Sequence, residues 1–194
     1  MGSSTISIST SSQVINYATP LPPATLPTIT IDGTPLAAPN NPYSPTGYQV
    51  VIFNSTKPVT DPTALLANVA FGVGNDPGTN SWWNTYQYVY SNMLSLILNT
   101  GNIDEQFLLI VSFGLDNNMP PTNDMLSTML NLGANGQLQK WETTCDPGSQ
   151  VGNANSWVSY PASYILVGSS GWGYGEGEEA YQNTAGPLSL NYSF

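Results

Sequence analysis

The chain has 194 residues, 12 acidic and 2 basic, with no His and a formal net charge of −10. Charged residues make up only 7%, so Ser, Thr, Asn, Gln and Gly must solvate the surface. Without His or Arg, and with Cys145 as the single thiol, a Ser-His-Asp or Cys-His site within one chain is excluded, as is zinc held by His or several Cys. The acidity argues against nucleic acid and anionic membranes as partners, because Lys57 and Lys140 are the only cations.

Hydrophobic residues at 40% and aromatics at 11% are enough for a packed core. One domain is expected, preceded by an extended arm. Cys145 allows no intrachain disulfide, so the redox compartment is not marked. Met1–Ser12 does not read as a conventional signal peptide, and no apolar run is long enough for a membrane helix. The uncharged surface favours an extracellular or surface-associated setting. No Asp-x-Asp-x-Asp calcium loop occurs, and no cofactor or metal is expected.

Residues 1–47 form the arm. Ser3–Ser12 alternates Ile with Ser or Thr, as in Ser4–Ser9, and Thr28–Ile31 alternates again before a turn at Asp32-Gly33. Prolines from Pro20 to Pro45 interrupt it. The segment is either a linker or a pair of short strands that adds to a neighbouring chain's sheet edge.

Residues 48–194 read as an α/β domain. Tyr48–Phe53 is a nearly continuous apolar run, as in a strand buried on both faces. Lys57–Asp61 is a turn, and Ala64–Val73 is a strand or a short helix, with a strand preferred over Val69–Val73. Asn80 or Ser81 caps a helix. Its Trp82, Trp83, Tyr86, Val89, Tyr90, Met93, Leu94 and Ile97 share one face, and Gly101 stops it. Phe107–Val111 is a second buried strand. Thr122 or Asn123 caps a second helix, with Met125, Leu126, Met129 and Leu130 inward and Gly133 at its end. Gln137–Thr144 extends or restarts that helix. Trp157-Val158 and Tyr164–Val167 read as strands, a Gly-rich loop spans Gly168–Gly177, and Leu188–Phe194 alternates like an edge strand. Strands and helices in this order predict a mainly parallel or mixed β-sheet flanked by helices. Ligand sites then fall at Asn54, the Asp116 loop and the Gly168–Gly177 loop.

Phe107–Phe113 followed by Asp116 resembles the strand and acidic loop of the interleukin-like EMT inducer domain family. Tyr48–Asn54 is similar to that family's opening strand, Leu132-Gly133 to its helix end, and Tyr164–Gly168 with Gly171–Gly177 to its closing aromatic strand and Gly-rich turn. The resemblance covers roughly residues 47–180 and implies a binding domain whose relatives occur in carbohydrate-handling proteins. The family's cytokines carry several cysteines and this chain only Cys145, so cytokine activity does not transfer.

The candidate ligand-binding residues are Asp116, Asn117, Trp172, Tyr174 and Glu176. Trp172 and Tyr174 offer flat rings for the C–H face of a sugar, and Asp116 and Glu176 accept hydroxyl hydrogen bonds. The opposing reading packs the rings onto the sheet. Phosphate is disfavoured beside Glu176, Glu178 and Glu179. Glu178-Glu179 reads as solvated surface, and Asp116 with Glu176 is the better pair for glycoside hydrolysis. Asn54-Ser55-Thr56 and Asn191-Tyr192-Ser193 fit the glycosylation sequon. The expected function is a non-catalytic module binding carbohydrate, another neutral polar ligand or a protein. The alternatives are a self-assembling protein that forms a homo-oligomer through residues 1–45, and a carboxylate-dependent hydrolase.

Overall fold

A computed structural model describes residues 4–12, 25–39, 47–72, 82–116, 121–137, 161–182 and 184–194. Within them the elements run β1 (Thr5–Ser12), β2 (Thr28–Ile31), β3 (Thr34–Pro35), β4 (Gly47–Asn54), β5 (Leu65–Gly72), α1 (Trp82–Asn99), β6 (Gln106–Phe113), β7 (Leu115–Asp116), α2 (Asn123–Asn131), β8 (Pro161–Ser169), β9 (Glu178–Gln182) and β10 (Gly186–Ser193). One sheet has the order β10-β1-β2-β3. The other runs β5-β4-β6-β8, with β7 and β9 also paired to β8.

Every described pairing is antiparallel. This overturns the expected α/β fold with a mainly parallel or mixed sheet flanked by helices. The cause is the hairpin of β4 and β5, paired from Gly47↔Gly72 to Phe53↔Leu65. It returns the chain to the end where β4 began. The 18 residues of α1, roughly 27 Å at 1.5 Å per residue, carry it across again. β6 must then descend against β4, from Asn54↔Gln106 to Gly47↔Phe113.

The buried strands expected at Tyr48–Phe53 and Phe107–Val111 are found as β4 and β6, and β8 is likewise buried on both faces. Alternate residues of these strands serve two cores. Tyr48, Val50, Ile52, Leu108, Ile110, Tyr164 and Leu166 meet Val89, Tyr90, Met93 and Ile97 of α1 and Met125, Leu126 and Met129 of α2. Val51, Phe53, Phe107, Leu109, Val111, Ile165 and Val167 meet Ile6, Ile8 and Ile29 of the other sheet. The layers are therefore sheet, sheet and helices. The strand alternation in residues 5–12 and 28–31 is used inside the chain, where β1 lies between β10 and β2. Asp32 and Gly33 join β2 to β3 with φ of 48° and 78°, the two left-handed positions of a type I′ turn.

The helix ends follow local chemistry. Thr122 caps α2, its hydroxyl accepting from Met125 N–H at 3.3 Å. Gly101, with φ of 65°, follows α1. Asn80, Ser81, Trp157-Val158 and residues 138–144 lie outside the described residues, as do the side chains of Trp82, Trp83 and Tyr86. No described helix is long and apolar enough to cross a membrane.

Because Ile8 is 1% exposed in the inter-sheet core, Ile8→Ala is expected to lower unfolding free energy in urea by about 2–5 kcal/mol. Ser9→Ala, on the exposed face of the same strand, should change it by less than about 0.5 kcal/mol. Equal effects would show that β1 does not belong to the core.

Candidate functional site

Gly168–Gly177 folds over the end of α2, and glycine makes the contact between backbones. A Cβ at Gly168 would stand 2.4 Å from the Leu132 carbonyl oxygen, and one at Gly177 2.7 Å from that of Val167. In that space Ser169 N–H donates to Leu132 O at 3.1 Å, Gly177 N–H to Gly133 O at 2.9 Å, and Gly175 N–H to Ala134 O at 3.1 Å.

Within this loop the expected site residues have different partners. Tyr174 is 70% exposed, and its hydroxyl donates to the Asn135 carbonyl at 2.7 Å. Glu176 is exposed and closes its own turn, Oε2 accepting from Gly173 N–H at 2.6 Å. Trp172 is partly buried and turns its ring towards β6 and β10. It meets Phe107 edge-on, with centroids 6.3 Å apart, and Tyr192 at 6.4 Å. Asp116 is placed by its backbone, opposite Pro161. Asn117 and Cys145 lie outside the described residues.

The Trp172 contacts belong to a larger aromatic patch that the sequence reading did not assemble. Phe107 is buried at its centre, with Phe194 at 4.9 Å, Tyr192 at 5.7 Å and Phe53 at 6.3 Å. Tyr192 and Phe194 stand edge to face at 5.0 Å. Phe194 is half exposed, and Trp172 and Tyr192 are partly so, so three rings reach solvent beside one another. The signal was present in the alternation of Leu188, Leu190, Tyr192 and Phe194, which puts Tyr192 and Phe194 on the face that meets the core. Partial burial, and next the charge of Glu178, push the Tyr192 hydroxyl above the ordinary 10.0.

A second polar feature lies on the helix side of the central sheet. Glu178 and Glu179 are successive residues of β9, so one points out and the other in. Glu179 Oε1 accepts the buried Tyr164 hydroxyl at 2.7 Å, and Oε2 accepts Asn135 N–H at 3.0 Å and Gln137 N–H at 2.9 Å. This corrects the reading of both acids as solvated surface: Glu179 fastens the turn after α2 to the sheet. The hydroxyls of Tyr48 and Tyr90 meet nearby at 3.2 Å. Among the described residues no group of three or more His, Cys, Asp or Glu could hold a metal ion.

Glu179→Gln is expected to lower stability by about 1–3 kcal/mol, because it weakens three hydrogen bonds to a carboxylate. Glu178→Gln should be within about 0.5 kcal/mol of the parent. Comparing the two in chemical denaturation isolates the inward carboxylate. The pH dependence has a definite sign. Burial, then the Glu179 charge, push the Tyr164 hydroxyl well above 10.0, and burial with Tyr90 does the same to Tyr48. Phenols raised in the folded state contribute stability in full below pH 10 and lose it as pH rises through the folded value. In alkaline titrations followed by circular dichroism, Tyr164→Phe should lose stability less steeply above about pH 10 than the parent.

No family model and no curated protein matches the chain.

Proposed function

We propose that the chain is a non-catalytic binding module for a neutral, hydroxyl-rich ligand, with carbohydrate as the class that fits best. The observation that carries this reading is the set of solvent-reaching rings Trp172, Tyr192 and Phe194 packed around Phe107. Flat rings bury the C–H face of a sugar, and the exposed Glu178 carboxylate on β9, a strand that lies against β10, accepts hydroxyl hydrogen bonds. A formal charge of −10 favours neutral glycans over anionic ones. The resemblance to the interleukin-like EMT inducer domain family, with relatives in carbohydrate-handling proteins, points the same way. The lack of His and Arg supports recognition without chemistry.

Calorimetry with neutral hexasaccharides of glucose and xylose tests the proposal. Saturable binding is expected, weakened by about 1–3 kcal/mol in Trp172→Ala and in Phe194→Ala if stacking here resembles stacking on other flat ligands. Trp172→Phe should retain part of it. Parallel thermal unfolding separates loss of stacking from loss of fold. Absence of binding to every neutral glycan tried, or binding indifferent to both alanine variants, overturns the proposal.

A further inference from the structure

On the β3 side the space between the two sheets opens into a pocket of about 230 Å3 beneath residues 26–39. Leu26, Pro27, Ile29, Leu36 and Pro39 contribute to its walls, and Gln49 of β4 is part of its lining. Gln49 points to this side because Tyr48, Val50 and Ile52 take the helix side. It is 2% exposed.

The orientation of the Gln49 amide follows from its neighbours. The Ala37 carbonyl can only accept, and it accepts from Asn68 Nδ2 at 2.8 Å. Asn68 Oδ1 therefore faces Gln49, whose Nε2 donates to it at 2.8 Å. That leaves Gln49 Oε1 as a buried acceptor without a partner. Such an atom in a native fold requires an explanation, because neither solvent nor protein replaces the hydrogen bond it lost.

We propose that this pocket is a ligand site, separate from the aromatic patch, for a compact and largely apolar molecule that carries one hydrogen-bond donor, such as a cyclic alcohol. The Pro, Leu and Ile walls take the hydrocarbon body. The donor pairs with Gln49 Oε1; that atom is shut off from solvent in this structure, so binding requires the amide to turn towards the pocket at the expense of its hydrogen bond to Asn68 Oδ1. The volume of about 230 Å3 lies below the ~300–1,000 Å3 usual for larger ligands, which points to a small molecule. Among the described residues no charged side chain lines the space, which favours a neutral ligand.

The test is amide-resolved NMR titration of the full chain with cyclohexanol and with cyclohexyl methyl ether, which has the same ring and a capped donor. Both should shift amides of residues 26–39 and Gln49, with cyclohexanol binding about three- to tenfold tighter. Gln49→Leu keeps the volume, removes the acceptor and should abolish that preference. Phe194→Ala should leave both affinities unchanged, which separates this site from carbohydrate binding at the patch. The proposal is overturned if neither compound shifts those amides, or if the ether binds as well as the alcohol to the parent. A preference that persists in Gln49→Leu also overturns it. If Gln49→Leu does not fold, the comparison of alcohol with ether on the parent decides alone.

Discussion

Strands β4, β6 and β8 carry large apolar side chains on both faces, and the other layers stand where they do because both faces must be kept from water. Tyr48, Val50, Val51, Ile52, Leu108, Leu109, Ile110, Ile165 and Leu166 are all essentially unexposed. Each fully buried side chain of this kind contributes roughly 1.5–3 kcal/mol, so neither face can be left open. Helices α1 and α2 cover one face. The other is covered by a sheet built from both ends of the described chain, β1 to β3 and β10. The aromatic patch and the Gln49 pocket lie at different margins of that second interface, where the closely packed centre gives way to partly exposed rings at one and a polar amide couple at the other.

A chain with two cations cannot neutralise its acids by pairing. The described structure shows what it does instead: carboxylates accept backbone N–H groups at turns. Asp32 Oδ1 takes Thr5 N–H, Asp61 Oδ1 takes Thr63 N–H, Glu176 Oε2 takes Gly173 N–H, and Glu179 takes two N–H groups after α2. Charge-assisted bonds of this kind are stronger than neutral ones. They place negative charge at the corners of the fold, where it fastens one segment to the next. The amide of Gln106 does similar work in the core, donating to the carbonyls of Ile97 and Thr100 and so tying the end of α1 to β6.

Elements whose signal is local were legible in the residues. The three-and-four spacing of Val89, Tyr90, Met93 and Ile97 marks α1, Thr122 marks the start of α2, and Asp32-Gly33 marks its turn. Strand direction was not legible, because alternation and apolar runs read the same in either sense. In the central sheet the hairpin of β4 with β5 reverses the chain ahead of α1, and the apolar stretch before Val73 masks its first half. Continuous burial of Phe107–Val111 is legible in the residues but fits a parallel sheet between helices and an antiparallel sheet covered by a second sheet equally well. At the candidate site, Trp172 was legible as a residue of interest. Its neighbours Tyr192 and Phe194 come from a distant strand, and only pairing of β10 with β1 brings them near. Glu179 was misread because two consecutive acids look alike until a strand sends them to opposite faces.

The ladder between Thr5–Ser12 and Gly186–Ser193 joins segments that are among the most distant in the sequence, with Thr5 opposite Ser193. β1 is an interior strand of its sheet, so one of its two edges stays without its native partner until the last residues of β10 have been synthesised. Until then Ile6 and Ile8 lack one wall of their layer. The entropy of closing so long a loop rises only slowly with length, but contacts of such separation form late and slow the reaction. A nascent chain in which Gly186–Ser193 has not yet been made would therefore expose a β-edge with neighbouring isoleucines, the type of surface on which chaperones and aggregation compete.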